Sequence, residues 1–375
     1  MMSKAAGTAA PVLVFRIGSL GDTVISLPAM HAIRRRHPDA QVLLLTNTPV
    51  DGGLKAASST QILTGTGLVD DYIEYPHKSL SLGRLLAVIM RIRFHSPELC
   101  YFLMPQRSAS QAWRDRIFLK LAGLREIVGL DPDNFATRPP PPGETLWENE
   151  AVRLLRVVGV ENHPISMSDF ALTLTQAETK FASLALQAAG IHGKFIVMSI
   201  GAKIPVKDWG DENWQQFLGI VGATAGDHAL VAIGARIEHA RSATLLSRWP
   251  GATANLCGQL TPRESAAVLT RANLYVGHDS GPMHLACAVG TPAVAIFASR
   301  NMPGVWFPTG SDGNIFYNDV DCRGCGLEIC IEKKQRCIRE ISPTAVAKRA
   351  DVILNARTQL LATHSPASNS MPGNA

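Results

Sequence analysis

A chain of 375 residues, 46% hydrophobic and 18% charged, has material for two ordinary domains. Its 36 Lys and Arg against 31 Asp and Glu leave a formal charge of +5, too modest for the concentrated basic face of a nucleic-acid binder. No apolar run reaches the roughly eighteen residues of a membrane span. The start, MMSKAAGTAAP, lacks a signal peptide's apolar core, and seven cysteines without one read as reduced thiols in a cytoplasm. These features exclude a membrane channel, a secreted disulfide scaffold and a fibre, and leave a soluble enzyme or binding protein.

Residues 1–10 and 364–375 are rich in small and polar side chains and read as disordered ends. Val12 to Phe15 is a short buried strand, followed by a glycine-containing turn and a helix from about Val24 to His37. Further strands are expected at Gln41 to Thr46, Leu99 to Leu103 and Ile127 to Leu130. A stiff run, Pro139 to Gly143, precedes a helix over Trp147 to Val158 whose stripe of Val152, Leu155 and Val158 suits the first sheet. Strands resume at Phe195 to Ile200, Ala229 to Ile233, Leu274 to Val276 and Ala293 to Phe297. Strands alternating with helices specify parallel sheets covered by helices. The expected fold class is α/β, with two facing Rossmann-like domains. They are placed at 11–173 and 174–350, with a C-terminal helix and tail over 351–375.

The first strand-to-helix turn reads Arg16-Ile17-Gly18-Ser19-Leu20-Gly21-Asp22. Two glycines allow close backbone approach to a ligand, and the helix start favours negative charge. The dinucleotide pattern G-x-G-x-x-G is absent, and Thr46-Asn47 stands where its acidic residue would be, which disfavours NAD. Asp22 either caps the helix or stands exposed at the sheet edge where the halves meet. In the second half, Asp279-Ser280-Gly281-Pro282-Met283-His284 leads from a buried strand into a helix. Pro282 suits the first turn, and the free N–H groups with His284 form a site for a phosphate. Lys207, in the loop after the strand ending at Ile200, is a candidate point charge for a leaving diphosphate. A solvated loop lysine is the ordinary alternative.

Over roughly residues 11–345 the chain resembles the bacterial heptosyltransferases, two-domain glycosyltransferases of the GT-B fold. The resemblance rests on Arg16-x-Gly18-x-x-Gly21-Asp22 with Pro28, on Lys207-x-Trp209, and on Asp279 to His284, in that order. It departs at Gly210, where many relatives have proline. The resemblance implies an acceptor-binding N-terminal half and a donor-binding C-terminal half. It implies an inverting transfer of a sugar, heptose from ADP-heptose first, to lipopolysaccharide core or a related glycan. Asp22 is then the general base, Lys207 holds the donor phosphate, Glu238 the ribose, and Leu260 lies beside the adenine. Gly21, Asp279, Ser280, Gly281 and His284 complete the donor site. No cofactor is required, and positive charge with helix N–H groups replaces a divalent ion. The alternatives are a GT-B enzyme of another type, such as a nucleotide-sugar epimerase, a different nucleotide sugar, or a binding module without turnover.

Nine basic residues between Lys78 and Arg125 face only Glu98 and Asp115. A solvated helical face is the usual cause of such a run. In the acceptor half it also suits an anionic glycolipid at a membrane surface. Arg107, Arg114 and Arg116 are the acceptor-binding candidates, and the enzyme is expected in the cytoplasm, peripherally on the inner membrane face. Cys322, Cys325, Cys330 and Cys337 have a partly zinc-like spacing. A loop-ordering set of reduced thiols is the preferred reading over a metal site. Cys100, Cys257 and Cys287 read as core.

Overall fold

The computed structural model describes residues 9–47, 59–75, 81–105, 107–131, 135–309 and 314–363. Lys78, residues 1–8 of the first end and the whole 364–375 end lie outside the described residues. The first half runs β1 (Val12–Phe15), α1 (Leu20–Ile25), α2 (Leu27–Arg36), β2 (Val42–Asn47), α3 (Thr60–Leu63), β3 (Asp71–Tyr75), α4 (Leu82–His95), β4 (Leu99–Phe102), α5 (Ala109–Leu121), β5 (Glu126–Val128) and α6 (Glu150–Val157). The second runs α7 (Gln176–Ala188), β6 (Phe195–Ser199), α8 (Asp211–Thr224), β7 (Ala229–Ala232), α9 (His239–Leu246), β8 (Thr253–Asn255), α10 (Pro262–Leu269), β9 (Leu274–His278), α11 (Gly281–Ala288), β10 (Ala293–Phe297), β11 (Ile315–Tyr317), α12 (Arg336–Arg339) and α13 (Pro343–Thr363).

Two all-parallel sheets result, ordered β3-β2-β1-β4-β5 and β11-β10-β9-β6-β7-β8. Their central strands are apolar on both faces, as a sheet covered on both sides demands. Leu13, Phe15, Leu43 and Leu45 pack under α4 and α5, while Val12, Val14, Val42 and Leu44 turn toward α2 and α6. In both sheets the order reverses beside the central strands, the switch point at which α/β folds place ligands.

The expected helix at 24–37 is two helices. Pro28 lacks the N–H that would bond back to Val24, and the break falls at Ser26, whose hydroxyl bonds Thr23 O. On α6, Leu155 and Val158 are buried as expected, but Val152 is 37% exposed, and Ala151, Leu154 and Val157 complete the buried face instead. The 350/351 division falls inside α13, whose Val346, Ala347, Ala350 and Leu354 pack into the second core.

Candidate active site

Arg16 follows β1 directly and is 1% exposed. Its guanidinium donates to Leu103 O (2.5 Å) and twice to Asp22 O (2.8 and 3.2 Å). Asp22 is the third residue of α1. Its Oδ2 accepts from the Ser19 N–H (2.6 Å) and Ser19 hydroxyl (2.7 Å), a capping arrangement. Its Oδ1 lies 3.6 Å from Arg16 Nη2, and the side chain is 21% exposed. The two sequence readings of Asp22 are therefore compatible, with one oxygen capping the helix and the carboxylate still reaching solvent. A Cβ on Gly18 would overlap the Asp22 side chain, so glycine is needed there. Asn47, at the end of β2, holds the Gly18 N–H at 3.0 Å.

In the second half, the loops after β6, β7, β8 and β9 converge. Lys207 ends a 3-10 turn (Pro205–Lys207), and its Nζ lies 2.6 Å from Asp279 Oδ2. Both side chains are largely buried. Ser280 is the extended N-cap of α11, with Pro282 in the first turn as the residue types required. His284 Nε2 lies 4.0 Å from Asp279 Oδ1. Burial holds His284 below the usual histidine range, although Asp279 acts the other way. The neighbouring His278 is fully buried, and its Nε2 accepts the Trp209 N–H at 3.1 Å. Burial pushes its pKa down to about 4. This bond ties the Lys207-x-Trp209 loop to the end of β9.

Glu238 lies in a short 3-10 turn after β7 and accepts the Ala235 N–H at 2.9 Å. Burial raises its carboxyl above the usual range. The carboxylate lies over the backbones of Gly201 and Gly234, where a Cβ at either position would overlap it. Leu260 is half-buried against the core. Behind this edge, burial would raise Asp208, but Arg241 grips it with two bonds (2.8 and 2.9 Å) and holds it below its usual range.

The two halves touch through α1 and α11. A Cβ on Gly21 would sit 3.0 Å from His284 Cδ2, and one on Gly281 would sit 2.8 Å from Leu20. The Asp22 charge is felt at His284. Asp22, Lys207, Asp279 and His284 thus share one junction. Outside it, Arg263 of α10 pairs with Glu178 (2.5 Å) and donates to Ile62 O (2.9 Å) of the first half. The N–H groups of Trp147 and Glu150 bond Pro303 O and Val305 O, both at 2.8 Å.

The three acceptor candidates do not converge. Arg107 and Arg114 close on the buried Asp115 at 3.3 and 2.9 Å, beside Tyr75 at the end of β3. Arg116 points elsewhere and donates to Leu130 O at 3.0 Å, because it lies on another side of α5. Among the described residues no three His, Cys, Asp or Glu side chains are arranged to hold a metal ion. Cys322, Cys325, Cys330 and Cys337, the candidates for a zinc site, are free thiols spread from exposed to buried. Burial raises the Cys337 thiol. Cys100 and Cys257 are buried, whereas Cys287 is only half-buried, at the junction beside His284.

The sequence reading assigned no role to Arg16, Glu150, Arg153 or His278. Arg16 Nη1 lies 3.5 Å from Glu150 Oε1, and Glu150 pairs in turn with the fully buried Arg153 at 2.7 Å. A charged residue immediately after an apolar strand was the available signal for Arg16. Nothing local marks Glu150 as its partner.

Residues 150–335 match glycosyltransferase family 9 (heptosyltransferase). The chain is 20% identical to lipooligosaccharide heptosyltransferase 2 of Campylobacter jejuni over 341 residues, which covers 89% of this chain and 95% of that protein. A glycosyl transferase family 9 structure from Veillonella parvula superposes with a TM-score of 0.70 at 17% identity, covering 94% of this chain and 100% of that one. The Escherichia coli ADP-heptose LPS heptosyltransferase II gives a TM-score of 0.64 at 16% identity, with 93% and 99% covered. The facing parallel sheets are those of the GT-B fold, and residues 150–335 of the chain carry the domain of glycosyltransferase family 9, the heptosyltransferase family.

Proposed function

We propose that the enzyme transfers heptose from ADP-heptose, with inversion, to a hydroxyl of the lipopolysaccharide core or a related glycan. The observation that carries this reading is the junction itself. Asp22 on one sheet edge opposes Lys207, Asp279 and His284 on the other, across the contact of Gly21 with His284. The names of the C. jejuni relative and the E. coli neighbour support the donor and the acceptor class.

In this mechanism Asp22 accepts the acceptor hydroxyl's proton through Oδ1, since Oδ2 already takes two bonds from Ser19. The hydroxyl oxygen bonds the anomeric carbon as the carbon–oxygen bond to the diphosphate breaks, and ADP leaves with that electron pair from the opposite face. Lys207 and the N–H groups opening α11 meet the developing charge. Asp279 orients the Lys207 ammonium. His284, held neutral by burial, adds an N–H donor. Glu238 takes the ribose and Leu260 lies beside the adenine, with Ser280 and Gly281 against the diphosphate. Arg107 and Arg114 are the acceptor-side cations. The reaction belongs in the cytoplasm, where nucleotide sugars are made.

Asp22→Asn tests this. General-base help amounts to about two to four orders of magnitude, so turnover falls at least about a hundredfold while donor affinity, read by calorimetry, stays. Lost donor affinity with turnover of the bound complex preserved would reduce Asp22 to a helix cap. Because Lys207 and the α11 turn supply the electrophilic assistance, transfer is expected to survive EDTA. Abolition by EDTA with rescue by magnesium would overturn that part.

A further inference from the structure

Large apolar side chains are exposed along two neighbouring helices. On α4 they are Leu82 (74% exposed), Leu86, Met90 and Phe94 (85%), and on α5 they are Trp113 (67%), Ile117 and Leu121. Each set recurs at every fourth residue, so each helix carries an apolar strip on its outer face. The inner faces, with Val88, Ile89 and Ile92 on α4 and Phe118 and Leu119 on α5, are fully engaged with the sheet. Core packing therefore does not explain the outer strips, and contiguous exposed apolar surface marks an interaction site.

We propose that the outer face of α4 and α5 docks on an anionic lipid bilayer. Charge decides the occupant. Between residues 81 and 125 stand eight Lys and Arg against two acids, Glu98 and Asp115. Asp115 is buried beneath Arg107 and Arg114. Arg116 and Lys120, beside the α5 strip, bond the neutral carbonyls Leu130 O and Arg125 O, at 3.0 and 2.6 Å. Among the described residues no acid pairs with either charge. Apolar side chains flanked by Lys and Arg suit the boundary between headgroups and acyl chains. A second copy meeting this face about a two-fold axis would set like charges against each other. The docked face also adjoins the site, because α5 begins two residues after Arg107 at the edge of the first sheet.

The test is co-sedimentation of the full chain with phosphatidylcholine vesicles, with and without phosphatidylglycerol, at low and high salt. Binding is expected only to the anionic vesicles and to weaken as salt rises. The triple variant Leu86→Ser, Phe94→Ser, Trp113→Ser should bind at least about tenfold more weakly. Arg116→Gln with Lys120→Gln should lose most of the preference for phosphatidylglycerol. Melting temperatures of both variants should match the parent, since these side chains are exposed. Three results would overturn the proposal: no binding to anionic vesicles at low salt, binding that the apolar triple leaves unchanged, or a parent oligomer that the triple dissociates without any lipid binding. The readout is lipid binding with neither donor nor acceptor present, so its failure leaves the transfer mechanism standing, and the reverse also holds.

Discussion

The buried guanidinium of Arg16 lies 3.6 Å from the Asp22 carboxylate and 3.5 Å from that of Glu150. One side chain thus ties the proposed base to helix α6, and through Leu103 O to the end of β4. Arg153 extends the network to Met104 O and Phe135 O. The position of Asp22 is therefore set by four separate chain segments, while the cap on Ser19 sets only its rotamer.

Arg16→Met follows as the first prediction. It leaves Leu103 O and Asp22 O without their donor and places apolar bulk against two carboxylates. Breaking a buried charge network by removing one partner costs about 3–5 kcal/mol. Urea unfolding should show a midpoint lowered accordingly, with turnover falling as Asp22 shifts. Arg16→Lys keeps the charge but not the fork, and should lie between. A parent-like midpoint in Arg16→Met would mean that the network does not hold this edge.

Lys207 and Asp279 are coupled in the same sense. Lys207→Met leaves a carboxylate that is 5% exposed without its cation, again at a cost of about 3–5 kcal/mol. Donor affinity should fall as well, because the ammonium is the charge proposed to meet the diphosphate. Adding Asp279→Asn to Lys207→Met should restore much of the stability and none of the donor affinity. Calorimetry with ADP alongside thermal melts separates the two effects. Restored ADP binding in the double variant would show that Lys207 serves Asp279 alone.

The sequence displayed most of this architecture for a physical reason. Strands buried on both faces must be continuous apolar runs, so Ala293 to Phe297 was legible to the residue. The edge strands β3, β8 and β11 were not, since Asp71, Glu74 and Thr253 interrupt the first two and β11 is only three half-buried residues long. At the site, Asp22, Lys207 and the Ser280–His284 turn stood out because each sits where a strand gives way to a helix. The partnerships were illegible. Nothing in sequence joins Arg16 to Glu150, or shows Arg114 closing on a buried Asp115 while Arg116, two residues on, reaches Leu130 O. The surplus of basic residues was visible, but only the helix faces reveal how unlike their surroundings are.

His278 sets a pH dependence of stability. Its pKa in the fold is about 4, below the ordinary 6.5, because burial disfavours the charged form of a ring whose neutral Nε2 accepts the Trp209 N–H. Between those values the unfolded chain binds the extra proton and the folded chain does not, so stability rises with pH across the window. It is fully present above about pH 6.5 and lost as pH falls toward about 4. A shift of this size is worth up to about 3 kcal/mol, and the lowered His284 and His37 add the same sign. Urea midpoints should therefore drop between about pH 7 and pH 5, and His278→Gln should flatten the slope. An equal slope in the variant would assign the loss to other groups.

Gly201→Ala isolates Glu238 without touching it. The new methyl would overlap the Glu238 carboxylate, which is the far end of a flexible side chain. The side chain can swing away more cheaply than the backbone can move, so the fold should lose little stability, within about 1 kcal/mol. Swinging away removes the carboxylate from the edge where the ribose is expected. Donor affinity should then fall at least about tenfold, as when a hydrogen-bonded charged group is lost from a ligand site. Acceptor KM should be unchanged, because Gly201 and Glu238 both belong to the second sheet. Gly234→Ala is the poorer probe, since its φ of +158° adds backbone strain to the same overlap. Parent-like ADP affinity in Gly201→Ala, with Glu238→Gln equally silent, would remove Glu238 from the donor site and leave its buried carboxyl with only the Ala235 N–H to hold.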